Sequence, residues 1–209
     1  AGIAMATPVP SINQPGFKPH YFGTAALGAA VPTGDWGNTI PLAHGEGDLE
    51  KSAGVDTGFD VTLDLGYQFT ENLGLQLNFL IANNSMNTKQ LPNGDQAKSD
   101  QSSQLVTITL DGLYTFDIPN SKISPYVGVG VGISDGNLFD QDTNTVYYTD
   151  KRQMALHGLI GFEYHINPRL DAMAGYDYYR YSYNDMPLAG HSTTTPSMNT
   201  VNVGVIAKF

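Results

Sequence analysis

The chain predicts an all-β fold: an eight-stranded antiparallel transmembrane β-barrel with short periplasmic turns and four long extracellular loops. Three observations carry this reading. Large apolar residues recur at every second position in eight segments, the connections alternate between short and long, and aromatic residues return at one edge with the hairpin's own period. A period of two is a strand with two unlike faces.

Residues 1–17 show no period and are rich in small residues and proline. They read as a flexible N-terminal arm. Ala4-Met5-Ala6 has the small-x-small form of a signal-peptidase site, so the remnant of an export signal is the alternative. Residues 18–209 are assigned to the barrel. Its first strand, Tyr21 to Val31, is mostly alanine and glycine, with Tyr21, Leu27 and Val31 in phase. The second is the clearest: Phe59, Val61, Leu63, Leu65, Tyr67 and Phe69 alternate with Asp60, Thr62, Asp64, Gly66 and Gln68. Its length is what a tilted strand needs to cross a bilayer. Thr70–Asn72 then forms a tight turn into Leu73, Leu75, Leu77, Phe79 and Ile81, opposed by Gly74, Gln76 and Asn78.

The later strands repeat the pattern. Val106, Ile108, Leu110, Tyr114 and Phe116 oppose Thr107, Thr109, Asp111 and Thr115. Val127, Val129, Val131 and Ile133 oppose Gly128, Gly130 and Gly132, a stretch that leaves one wall without side chains and gives room for water or larger opposite groups. Met154, Leu156, Ile160, Phe162, Tyr164 and Ile166 oppose His157, Gly161, Glu163 and His165. Leu170, Ala172, Ala174, Tyr176 and Tyr178 oppose Asp171, Gly175 and Asp177. Val201, Val203, Val205, Ala207 and Phe209 oppose Asn202, Gly204 and Lys208. Eight is an even number, as a single-chain bacterial barrel requires. Short turns fall near 70–72, 117–124 and 167–169, and long polar stretches near 32–54, 83–102, 135–151 and 182–198. The long ones read as solvated rather than as a second domain. Loop length sorted this way is the asymmetry of an outer-membrane barrel.

Phe69, Phe116, Tyr164 and Phe209 each close an even-numbered strand, at separations of 47, 48 and 45 residues. With Tyr67, Tyr114 and Phe162 they form an interfacial girdle, since amphipathic rings prefer the lipid–water boundary. Tyr176, Tyr178, Tyr179, Tyr181 and Tyr183 are expected near the opposite rim.

Composition narrows the function. The 209 residues carry 20 acidic and 10 basic side chains, a net charge of −10, and no cysteine. Such acidity offers no basic stripe to nucleic acid. The absence of cysteine excludes disulfides, zinc–cysteine sites and thiol catalysis. No run approaches the roughly 18 apolar residues of a spanning helix.

The C-terminal run VNVGVIAKF, with Val201, Val203, Val205 and Ala207 leading to Phe209, resembles the assembly signal of Gram-negative outer-membrane barrels. The stretch SPYVGVGVG, residues 124–132, is similar to the glycine-rich fifth strand of the small eight-stranded family related to the OmpA transmembrane domain and the opacity-type porins. The closing phenylalanine is expected to be the natural end, without the peptidoglycan-binding module of longer relatives. The resemblance implies a monomeric integral protein of the outer membrane, without cofactor. It would meet lipid and lipopolysaccharide, be inserted by the barrel-assembly machinery, support envelope integrity, and present loops for adhesion or a host partner.

The inward set is Asp60, Asp64, Gln68, Gln76, Asn78, Asp111, His157, Glu163, His165, Asp171, Asp177 and Lys208. Eight strands leave an interior that side chains fill, so a packed polar plug is expected, with a narrow ion or solute path as the alternative. Carboxylates outnumber the cationic partners, chiefly Lys208, with Arg169 and Arg180 in reserve. A lipid-modifying enzyme needs a nucleophile, a base and an orienting group. His191-Ser192 lacks the third, and His157 and Glu163 stand six residues apart on one strand, about 20 Å at strand rise. The chain is therefore expected not to be an enzyme. Asp140, Asp142 and Asn144 begin like a calcium loop, but Thr145 and Lys151 replace its glycine and bidentate acid. Those residues, and Glu46, Asp48 and Glu50, support only weak cation contact, and no metal site is assigned. Trp36 is read as an ordinary exposed aromatic. A soluble lipocalin-like barrel is the structural competitor; it needs an apolar interior, the reverse of this pattern.

Overall fold

The computed structural model describes residues 17–34, 40–42, 51–88, 101–140, 145–146, 153–182 and 196–209. Eight long strands form the staves: β1 (His20–Gly34), β4 (Gly58–Gln68), β5 (Leu73–Thr88), β6 (Gln101–Thr115), β7 (Ile123–Asp140), β9 (Gln153–Asn167), β10 (Leu170–Ser182) and β11 (Pro196–Lys208). Each pairs antiparallel with the next, and β1 pairs with β11 from Phe22↔Lys208 to Gly34↔Pro196, which closes the sheet. Tyr21 and Phe209 extend that seam with mutual backbone hydrogen bonds of 3.1 and 2.9 Å. A closed ladder has no edge, which is what a backbone in hydrocarbon requires.

The alternation read in the sequence becomes an inverted molecule. Asp60, Asp111 and Asp171 are 0% exposed, whereas Val129 is 71% exposed and Val203 64%. A contiguous apolar surface of that extent is tolerated only against lipid or another apolar partner. The lipocalin-like alternative, with its apolar interior, is thereby excluded.

The turn-side connections follow local chemistry. Thr70 Oγ1 accepts from the Leu73 and Asn72 amides at 2.9 and 3.3 Å, which folds the β4–β5 turn. Asn120 takes φ 62° between β6 and β7, a left-handed conformation that asparagine tolerates better than most residues. Asn167 Oδ1 accepts from the Arg169 amide at 2.9 Å between β9 and β10.

Two expectations are corrected here. The sheet does not stop where the polar stretches begin: β1 reaches Gly34, β5 Thr88 and β7 Asp140. Short strands β2 (Ile40–Leu42) and β3 (Lys51–Val55) pair with each other and then with β5, and β8 (Thr145–Val146) pairs with β7. Backbone pairing needs no apolar face, so ladders continue past the last alternating residue. Residues 1–16, Trp36, Glu46, Asp48, Glu50, Asp142, Asn144, Lys151, Tyr183, His191 and Ser192 lie outside the described residues.

Candidate functional site in the barrel lumen

The interior divides into three levels along the barrel axis. At the loop end, Ala30, Leu80, Ala82, Leu105, Ala155, Tyr179, Tyr181 and Met198 form one cluster, each 0 or 1% exposed. The outer part of the lumen thus carries an apolar cluster, with Asn84, Thr107, Ser134, Gln153 and Ser197 buried beside it, where a polar plug was expected. The five-tyrosine rim is corrected by the same finding. Tyr176 and Tyr178 face outward, but Tyr179 and Tyr181 share the parity of Asp177 and turn inward. The Tyr179 ring stacks on His157 at 4.1 Å and lies parallel to Tyr181 at 6.4 Å. Thr107 Oγ1 lies 3.3 Å from the Tyr181 hydroxyl.

The middle level is a network of carboxylates and amides. His157 Nδ1 is 3.0 Å from Asp111 Oδ1, and its Nε2 is 3.6 Å from Asp177 Oδ1. Gln76 donates to Asp111 Oδ2 at 3.1 Å, Asn78 to Asp64 Oδ1 at 2.7 Å, and the Tyr179 hydroxyl to Asn78 Oδ1 at 3.1 Å. Asp177 Oδ2 accepts from Thr200 at 3.1 Å and from Asn202. These bonds tie strands 14 to 101 residues apart in sequence, which makes the network a cross-brace for the whole wall.

The glycine-rich β7 wall is filled rather than open. A Cβ at Gly128 would stand 2.8 Å from Leu113 and 2.9 Å from Leu159, and one at Gly130 would overlap Asp111 Oδ1. The missing side chains admit their neighbours, not a column of water. Arg180 faces outward and Arg169 sits in an exposed turn, so neither serves the interior carboxylates.

At the turn end the lumen opens into a cavity of about 240 Å³, walled in part by Gln68, Leu113, Glu163, His165, Ser124 and Lys208. Lys208 Nζ pairs with Asp171 Oδ2, and His165 Nδ1 stands 3.1 Å from Asp171 Oδ1. His165 Nε2 stands 2.8 Å from Ser124 Oγ. Glu163, His165 and Asp171 also offer atoms within 4.8 Å of one another, the spacing of metal ligands, but two of them are already engaged by Ser124 and Lys208.

Ser124, His165 and Asp171 thus stand in the order nucleophile, base, orienter, a relay that sequence reading missed. The signal that could have found it is the inward parity Ser124 shares with Gly128 and Gly130. Acyl transfer also needs donors aimed at the developing oxyanion. The residue after Ser124 is Pro125, which has no N–H, and Ser124 itself is paired with Glu163 in the ladder. The backbone at Ser124 and Pro125 therefore offers the relay no oxyanion donor of its own. His157 and Glu163, the pair weighed from sequence, are not brought together.

On the outer surface, Phe69, Phe116, Phe162, Tyr164 and Phe209 are exposed, with Tyr67 and Tyr114 half-exposed. Tyr21–Tyr67, Tyr67–Phe69 and Tyr114–Phe116 rings meet at 4.7, 5.0 and 4.9 Å, forming a belt near the turns. Val201, Val203, Val205 and Ala207 line the lipid side of β11.

The family model for the outer membrane protein β-barrel domain matches residues 18–209. The chain belongs to this family. No curated protein sequence matches it. Its structure is similar to the crystal structure of Neisserial surface protein A, at 19% identity over 91% of this chain and 97% of that one, with a TM-score of 0.60. It is also similar to the outer membrane protein OprG from Pseudomonas aeruginosa, at 19% identity over 91% and 95%, TM-score 0.52. The solid-state NMR structure of the outer membrane protein AlkL in lipid bilayers matches at 15% identity over 98% and 97%, TM-score 0.52. At such identities the likeness is one of fold. The protein is an integral protein of the Gram-negative outer membrane.

Proposed function

We propose that this protein is a non-enzymatic, non-conducting outer-membrane barrel that reinforces the envelope and presents its long loops to an external partner. The observation that carries the reading is the apolar cluster of Leu80, Leu105, Tyr179, Tyr181 and Met198 across the loop end of the lumen. All four long connections leave the sheet from that end. The cluster favours a surface over a mouth at the end away from the turns, since a narrow channel would have to break it. A relay whose own backbone offers no oxyanion donor supports the non-enzymatic part. The closed sheet supports work as a monomer, with lipid and lipopolysaccharide around the girdle and the β11 outer face read by the assembly machinery.

The test is a deletion strain complemented with the full chain or with a variant whose segments 89–100 and 183–195 are replaced by short turns. Both are expected to restore resistance to detergent, and only the full chain to restore adherence to an extracellular-matrix surface. Equal adherence with both would sink the loop-presentation reading. Detergent resistance unchanged by deletion would sink the envelope reading.

A further inference from the structure

Two places in the lumen are built to one plan. On β6, β7 and β9, Asp111, Gly130 and His157 stand directly opposite one another in the ladder. Gly130 has no side chain, so the Asp111 carboxylate leans over it and meets His157 Nδ1 at 3.0 Å. On β4, β1 and β11, Asp60, Gly28 and Asn202 stand in the same relation. Here Asp60 Oδ2 and Asn202 Oδ1 both lie within 2.7 Å of the point a Gly28 Cβ would occupy. Both residues are fully buried, at 0 and 1% exposure.

The two bridges differ in what meets over the glycine. The first joins an acceptor to a ring nitrogen. The second brings two oxygens together, and neither accepts a hydrogen bond from any described residue. Asn202 cannot reverse its amide to relieve this. Its Nδ2 donates to Asp177 Oδ2 and, at 3.0 Å, to Thr200 Oγ1. A flip would set its carbonyl oxygen against the Asp177 carboxylate. Asp60 Oδ1 is held by Thr62 at 3.4 Å, which leaves Oδ2 aimed at the gap. Buried oxygens facing one another without a donor repel and keep none of their lost hydration.

We infer that a hard cation bridges Asp60 and Asn202 over Gly28, meeting the Asp60 carboxylate there as the His157 ring nitrogen meets Asp111 in the other bridge. The ligands are all oxygen, a carboxylate and an amide carbonyl, which suits ions of the sodium or calcium kind and not the thiophilic metals. A cavity of about 40 Å³ walled in part by Thr62, Asp177 and Asn202 adjoins the site and gives room for the ion's remaining water. That cavity shares Phe22, Leu113, Glu163 and Ile206 as walls with the turn-end vestibule, so these side chains separate it from the open end. The bridge would pin the seam between β1 and β11, where the sheet closes.

The test is urea unfolding of the full chain in detergent micelles with choline as the only cation, then with sodium, potassium or calcium chloride at matched ionic strength. Sodium or calcium is expected to stabilise saturably, with the unfolding constant falling about 100-fold at a concentration 100 times the dissociation constant. Asp60→Asn is expected to be insensitive to cations, because its new Nδ2 donates directly to Asn202 Oδ1. Wild-type stability that ignores all three salts overturns the inference. If acid alone then stabilises, Asp60 carries a shared proton instead; if nothing does, the gap holds water. Should Asp60→Asn fail to fold, anomalous diffraction from wild-type crystals grown in calcium or rubidium decides. A peak over Gly28 supports the bridge, and its absence with both ions overturns it.

Discussion

The two ends of the lumen are made by the same eight strands and the same alternation, yet one holds an apolar cluster and the other charged side chains around a cavity. At the loop end, Leu80, Leu105, Tyr179, Tyr181 and Met198 leave no exposed atom to speak of. At the turn end, Glu163, His165 and Lys208 surround about 240 Å³ of open space. Between them lies a polar network centred on His157. The difference teaches that an inward face need not have one chemistry. In this barrel it grades from an apolar cluster through a hydrogen-bonded brace to a charged vestibule.

The largest expected effect lies at the junction of the two regions. His157→Leu leaves Asp111 and Asp177 buried without the ring between them and removes the stack beneath Tyr179. Breaking a buried charged pair typically costs about 3–5 kcal/mol, and urea unfolding in micelles is expected to show a loss of that order. A neutral result would mean the brace contributes nothing. A paired substitution sharpens the contrast between the ends. Leu80→Ala, in the seal, is expected to cost about 2–5 kcal/mol as a core cavity, while Leu113→Ala, at the vestibule wall, should cost clearly less. Equal losses would erase the distinction.

Outside the lumen, Val129→Arg puts a charge in the middle of the lipid face and should cost about 2–4 kcal/mol in bilayers, against about 0–1 for Phe116→Arg at the girdle. The same cost at both sites would remove the assignment of Phe116 to the interface. The smallest effect is expected for Ser124→Ala, about 1 kcal/mol for one lost hydrogen bond to His165. Ester hydrolysis by the wild-type protein that vanishes in this variant would show that the relay is catalytic after all.

How much of this was legible follows from what alternation can encode. Phe59 to Phe69 declares its outer face because every intervening residue is small or polar, and its carboxylates are found in the lumen; Val201 to Phe209 does the same with Ile206 as an apolar residue on the inward side. The period fails where both faces turn apolar or aromatic. At Leu80-Ile81-Ala82 the run looks like the end of a strand, and at Tyr178-Tyr179 the inward ring hides beside the outward one. The seal was invisible for that reason, although parity counted from Asp177 would have placed Tyr179 and Tyr181 inside. The pairings across the lumen were illegible on different grounds. Ser124 and His165 are 41 residues apart, and Asp111 and His157 46. Only the register of the closed sheet sets which inward residues share a level.

The central claim is that the lumen is blocked at its loop end. Conductance recording of wild-type protein in planar bilayers tests it most directly, with insertion verified by the heat-dependent gel mobility of the same sample. The expected record is a baseline without discrete steps at any applied voltage below membrane breakdown; reproducible unitary steps would contradict the account.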